Sequence, residues 1–275
     1  MPFEENAEAG RPGTALVLGG GGPVGASWTS ALLTGLAAAG IPLADCDVLG
    51  TSAGAVVGAW LTIDPDGLPN VPALMRDRAA WHARNASAGL QDTATFEAVL
   101  TDSAPGTGRP AMAPISVDQA GDLWRDLLPA GPWPARLRMV SVGATTGAAR
   151  VWSAGDHLPL AAGVACSTAA PGIAPPVRVD GETWLDGGVR TGTNADLVDA
   201  SVTRVLVVAP LPSADLATEA ALLTGRGCRV RTVVAQRFYA KPTDLIDARF
   251  VDVGAAAGAE QARDLAPELA AWWSA

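Results

Sequence analysis

Three glycine-bearing segments hold the residue types from which chemistry could be built. Gly50-Thr-Ser52-Ala-Gly54 has the form G-x-S-x-G. If a strand enters it and a helix leaves it, Gly50 and Gly54 permit a turn sharp enough to lift the seryl oxygen to a helix N-terminus, where the dipole favours developing negative charge. That is what a serine nucleophile for acyl transfer needs, although the same letters also describe a Gly/Ser turn with an N-cap serine. Gly20-Gly21-Gly22-Pro23-Val24-Gly25 satisfies G-x-G-x-x-G, a loop that gathers backbone N–H groups beside a helix start and favours an anion. Two anions compete for it, the pyrophosphate of a dinucleotide and the oxyanion of an ester's tetrahedral intermediate. A dinucleotide site requires an acidic residue at the end of the second strand. Here Asp45 and Asp47 precede or open that strand, and its end is the serine segment.

A seryl hydroxyl needs a base. The chain has two histidines. His82 lies beside Trp81 and Arg84 in an irregular region, and His157 follows Gly155-Asp156. Neither comes after a late strand, as the order Ser, Asp, His of the α/β-hydrolases requires, and an ordinary surface or capping role suits each better. Asp186-Gly187-Gly188 is the stronger candidate, because a carboxylate at a strand end followed by two glycines can approach another backbone closely. A strand-exit turn would use the same residues.

These segments must be positioned by alternating strands and helices. Thr14–Leu18 is a short apolar strand ahead of the glycine loop, and Ala26–Ala39 reads as the following helix. Asp47–Leu49 is a second strand entering the serine segment, with a small-residue helix from Ala55 to Leu61. Residues 62–135 are broken by Pro/Gly clusters between helical stretches and read as an inserted helical lid. Arg138–Gly143 and Ala149–Trp152 form a hairpin pattern around Thr145-Thr146-Gly147. Leu160–Thr168 is helical, and Val177–Leu185 is a strand pair turning at Asp180-Gly181. Val205–Val208 is a buried strand, Thr218–Val234 reads as helix, Ala248–Val253 as strand and Glu260–Trp273 as a last helix. The alternation predicts a three-layer α/β fold, a mostly parallel central sheet flanked by helices, with residues 1–12 a loose tail and 13–275 a single domain.

Composition narrows the partners. Of 275 residues 49% are apolar and 17% charged, enough to bury a sizeable core. A net charge of −9 without a Lys/Arg run excludes nucleic acid and a polybasic lipid tether, so peripheral membrane contact would rest on apolar side chains. Trp272 and Trp273 could serve there, but core packing is the simpler reading. Cys46, Cys166 and Cys228 lack metal-ligand spacing and are odd in number, so neither metal nor cofactor is expected. The acidic start has no signal-peptide order, and no uncharged apolar run of about 18 residues follows. A cytoplasmic protein is the expectation.

The glycine loop, the serine segment and Asp186-Gly-Gly188, in that order, together with Cys166-Ser-Thr-Ala-Ala-Pro-Gly-Ile-Ala-Pro-Pro-Val177 ahead of the aspartate, resemble the patatin-like phospholipase family from Leu16 to about Leu197. The resemblance implies a serine acyl hydrolase with a Ser52–Asp186 dyad, an acyl-enzyme intermediate, and a lipid or other acyl-ester substrate. It places the oxyanion hole on Gly20, Gly21 and Gly22. Pro23 has no N–H, so Gly21 and Gly22 are its foremost donors. An aspartate of ordinary pKa, near 4, is a weak base, so the site must raise that pKa or shorten the hydrogen bond. The family's loop usually carries Arg or Lys before its last glycine. Val24 stands there instead, which removes a charge beside the loop. The rival readings are a catalytically silent lipid-binding protein of the same fold and a dinucleotide-binding protein.

Overall fold

Runs of Val, Leu and Ala with no interrupting charge form strands that can be covered on both faces. In the computed structural model, which describes residues 13–274 apart from 91 and 237, the first such run is Thr14–Leu18 (β1), buried along its whole length. The expected N-terminal tail lies outside the described residues. Gly22–Ala38 (α1), Asp47–Thr51 (β2), Ala53–Ile63 (α2), Val71–Asn85 (α3), Thr93–Asp102 (α4) and Val117–Trp124 (α5) follow. Then come Leu137–Gly143 (β3), Ala149–Trp152 (β4), Leu160–Ser167 (α6), Val177–Val179 (β5) and Glu182–Asp186 (β6). Arg204–Ala209 (β7), Ala214–Gly225 (α7), Arg229–Val234 (β8) and Val251–Ser274 (α8) complete the chain.

The eight strands make one sheet in the order β5-β6-β3-β2-β1-β7-β8, with β4 also paired to β3. The pairs among β3, β2, β1, β7 and β8 are parallel, whereas β4 and β6 run antiparallel to β3 and β5 antiparallel to β6. Alternate side chains divide the core, as a two-residue period requires. Leu16, Leu18, Val48, Leu206 and Val208 face the larger layer, which includes α1, α2 and α8. Ala15, Val17, Leu49, Val205 and Val207 face the layer of Leu216 and Leu223 on α7. The result is the mixed, mostly parallel sheet flanked by helices. α8 packs along α1, where the Trp28 indole donates to Gln261 Oε1 at 3.2 Å. Trp273 is buried in this layer. No described helix is long and apolar enough to cross a membrane.

Two segments differ from the sequence expectation. The helix read over Thr218–Val234 stops at Gly225, and Gly227 at φ +88° turns the chain into β8. Ala248–Val253, read as a strand, is instead a 3₁₀ turn leading into α8. Val251 is fully buried while Val253 is 46% exposed. In a strand the two would share a face, but in a helix they point nearly opposite ways.

The sheet order reverses direction around β1. The chain steps from β1 to β2 on one side and reaches β7 on the other. At such a switch point the loops beyond the strand C-termini diverge and leave a crevice. The Gly20–Gly25 loop and Ser52 both leave strand C-termini there.

Candidate active site

β2 runs directly into Ser52, the N-cap of α2, which adopts φ 53°, ψ −116°. A positive φ at a residue with a Cβ costs about 1–3 kcal/mol and persists only where the surroundings impose it. Gly54 is one part of that imposition. A Cβ there would lie 1.9 Å from the Leu18 carbonyl oxygen, so only glycine lets α2 start against the end of β1. The Ser52 backbone N–H donates to Ser167 Oγ at 3.0 Å, and the Ser167 hydroxyl donates to the Val140 carbonyl at 2.7 Å. Gly50 lies within β2, paired to Leu18 on one side and Met139 on the other.

Strand register brings Asp186 to Ser52. Thr51 pairs with Val140 of β3, and the next β3 residue, Ser141, pairs with Asp186 of β6. Ser52, one residue past the end of β2, and Asp186, at the end of β6, are therefore brought level by strands that both pair with β3. Gly187 allows the close approach, since a Cβ there would meet the Val140 oxygen at 2.6 Å. Asp186 is 4% exposed, and its carboxylate accepts the Gly188 N–H at 2.7 Å and lies beside the Ser52 side chain. Burial raises its pKa to about 6, with the Ser52 side chain and the Gly188 amide opposing the rise.

The glycine loop lies across the same opening. The Gly20 N–H donates to the Gly192 carbonyl at 2.8 Å and is therefore already engaged. Of the three glycines expected to form an oxyanion hole, Gly20, Gly21 and Gly22, the first therefore has its amide occupied by backbone. Gly21 and Gly22 line the cavity, and their amides have no backbone partner among the described residues. Gly25 closes the first turn of α1, its N–H donating to the Gly21 carbonyl at 2.8 Å. Val24 is fully buried, against the position of Gly254 on α8. A cation at that position would point into helix packing rather than toward the loop.

Asn194, for which the sequence held no signal, joins these parts. Fully buried and left-handed at φ 52°, its side-chain amide donates to Thr51 Oγ1 at 3.2 Å, to the Gly187 carbonyl at 3.1 Å and to the Thr191 carbonyl at 3.0 Å. Thr191 Oγ1 in turn donates to Glu219 on α7 at 2.5 Å. One stretch, 187–194, thus supplies the amide that holds Asp186, the carbonyl that holds Gly20 and the side chain that ties the serine turn to the aspartate turn.

The opening is a cavity of about 440 Å³ lined by Gly20, Gly21, Gly22, Ser52, Asp186 and Gly188 on the sheet side. Apolar side chains close it, Met75 of α3, Leu100 of α4 and Trp124 of α5 from the helical region and Ile173, Leu211 and Leu245 elsewhere. His82 also lines it. The sequence suggested a surface or capping histidine, but His82 is 7% exposed, and burial together with Arg78 pushes its pKa down to about 3, leaving it neutral. His157 follows the 154–156 turn at φ 58° and is not among the residues lining the cavity.

Residues 16–199, about two-thirds of the chain, match the profile of a family described as patatin-like phospholipase. Among solved structures, the crystal structure of VipD from Legionella pneumophila aligns with a TM-score of 0.45 and 14% sequence identity, over 94% of this chain and 67% of that one. No curated protein matches the sequence.

Proposed function

The chain belongs to the patatin-like phospholipase family, a family of lipid hydrolases, and from that premise we propose that it cleaves carboxylic ester bonds of lipids with Ser52 as nucleophile and Asp186 as base. The observation that carries this reading is the buried Asp186 carboxylate beside the Ser52 side chain, its pKa raised to about 6. A carboxylate of that pKa is about nine-tenths ionised at pH 7 and is a better proton acceptor than an ordinary aspartate.

Ser52 Oγ attacks the ester carbonyl while its proton passes to Asp186. The negative charge on the carbonyl oxygen falls to the Gly21 and Gly22 amides, reinforced by the N-terminus of α1. Collapse of the tetrahedral intermediate breaks the ester C–O bond, and the departing alkoxide takes the proton from Asp186. Water then attacks the acyl-enzyme, giving its proton to Asp186, and the second collapse releases the acid and returns that proton to Ser52. The acyl chain lies along the apolar side of the cavity. Residues 62–135, which supply α3, α4 and α5, act as the wall of that channel within a single domain spanning 13–275.

Hydrolysis of p-nitrophenyl esters of graded chain length tests the reading. Ser52→Ala is expected to lower kcat/KM by about 10⁴-fold or more, and His157→Ala to leave it within about twofold. Full activity in Ser52→Ala contradicts the dyad. A folded wild type that binds lipid and hydrolyses none of the esters would be the silent lipid-binding protein instead.

A further inference from the structure

Arg78 and His82 are four residues apart on α3, so they share one helix face. That face turns inward. Arg78 is 2% exposed, and both residues line the cavity that holds Ser52 and Asp186. A fully buried arginine normally faces a carboxylate. Arg78 does not. Among the described residues its one hydrogen bond is a long contact from Nη1 to the Leu123 carbonyl, at 3.4 Å, and Nε and Nη2 have no partner. It stays a cation at neutral pH, since burial lowers its pKa only to about 10.

The surroundings explain how the charge is tolerated and what it can still do. The Trp81 and Trp124 rings lie 4.3 and 4.2 Å from the guanidinium carbon and cover the cation through their π faces. Such stacking leaves the in-plane Nε and Nη2 groups unpaired but covered, so a ligand in the cavity reaches them only as the side chains over them shift. Nε and Nη2 occupy one edge of the guanidinium, where two parallel N–H bonds match the two oxygens of a carboxylate or phosphate. His82 adds Nδ1, also buried without a partner among the described residues. It contributes a hydrogen-bonding atom and no charge.

We propose that the Arg78 edge, with His82 beside it, is an anion-binding subsite of the cavity, receiving a phosphate or carboxylate group that the substrate carries in addition to the ester cleaved at Ser52. The word substrate rests on the hydrolase reading, while the affinity for an amphiphilic anion does not.

Isothermal titration calorimetry with n-octyl phosphate, octanoate and n-octanol, identical in chain length, separates charge from apolar contact. Wild type is expected to bind at least one of the two anions about tenfold or more tightly than the alcohol. Arg78→Met, similar in length and free of the unpaired charge, is expected to bind all three alike, and Arg78→Lys to keep part of the preference because it retains charge without the fork. Tighter binding of octyl phosphate assigns a phosphate-bearing substrate, and tighter binding of octanoate a carboxylate-bearing one. Equal binding of the three ligands by wild type, or a preference that survives in Arg78→Met, overturns the subsite. Because the titration needs no turnover, loss of the Ser52–Asp186 mechanism would leave its result standing.

Discussion

The two sides of the cavity satisfy their polar groups in opposite ways. On the sheet side the amide of Ser52, the carboxylate of Asp186 and the side chains of Ser167 and Asn194 all have partners supplied by strand ends and by the 187–194 stretch. On the helical side, Arg78 and His82 line the same space and carry buried nitrogen atoms that no described residue pairs. A satisfied network fixes geometry, which the proposed proton transfer between Ser52 and Asp186 requires. An unsatisfied buried donor costs free energy until something binds it. The sheet side is thus built to hold still and the helical side to receive a ligand.

Disturbing each side should therefore have different consequences, and the largest belongs to the carboxylate. Asp186→Asn keeps the shape and an acceptor for Gly188 but removes the base, and kcat/KM for nitrophenyl esters should fall by about 10³-fold. The same variant should be more stable at high pH. A carboxyl whose folded pKa is raised contributes stability that is complete below its unfolded value, near 3.8, and is lost as pH rises through about 6. Asparagine escapes that loss, so its melting temperature should exceed that of wild type at pH 8, by about 3 kcal/mol or less in stability, and approach it at pH 4.

Asn194→Ala comes next. It removes four side-chain hydrogen bonds, three from the amide and one accepted from Arg190, and should cost about 2–4 kcal/mol by denaturant unfolding, with at least a tenfold loss of kcat as Thr51 and Gly187 separate. Ser167→Ala leaves the Ser52 amide without its partner. About 1–3 kcal/mol of stability is at stake, and the strained φ of Ser52 should relax, lowering kcat more than it raises KM. Arg78→Met should run the other way and gain about 1–2 kcal/mol, because it replaces an unpaired buried charge by an apolar side chain. A loss of stability there would mean that the stacking with Trp81 and Trp124 outweighs the cost of burying the charge. The contrast between the two sides would then fail.

How far these parts were legible depended on distance along the chain. Ser52 and the glycine loop announce themselves locally, each as a strand, a glycine turn and a helix within a dozen residues. Asp186 was visible as a strand-end carboxylate before two glycines, but its nearness to Ser52 follows from register across β3. Asn194 and Ser167 left no local trace, because their partners Thr51 and Val140 lie 143 and 27 residues away. The pair Arg78 and His82 sat in a segment of weak periodicity, and only the packing of α3 shows which face is inward. The hairpin of β3 and β4 and the β5–β6 pair were readable from their turns. The α7–β8 boundary and the start of α8 were not, since Gly225 and Gly227 fit a helix poorly without forbidding it and a Val-Asp-Val run suits either period.

The most direct test of the Ser52–Asp186 account is covalent labelling by a fluorophosphonate probe, followed across pH by mass spectrometry of the peptide containing Ser52. One phosphonyl group should appear on Ser52, at a rate that rises with pH through about 6 and levels above it as Asp186 ionises. The label should be absent in Ser52→Ala and strongly slowed in Asp186→Asn. Labelling of another residue, or a rate in Asp186→Asn equal to that of wild type, would contradict the account.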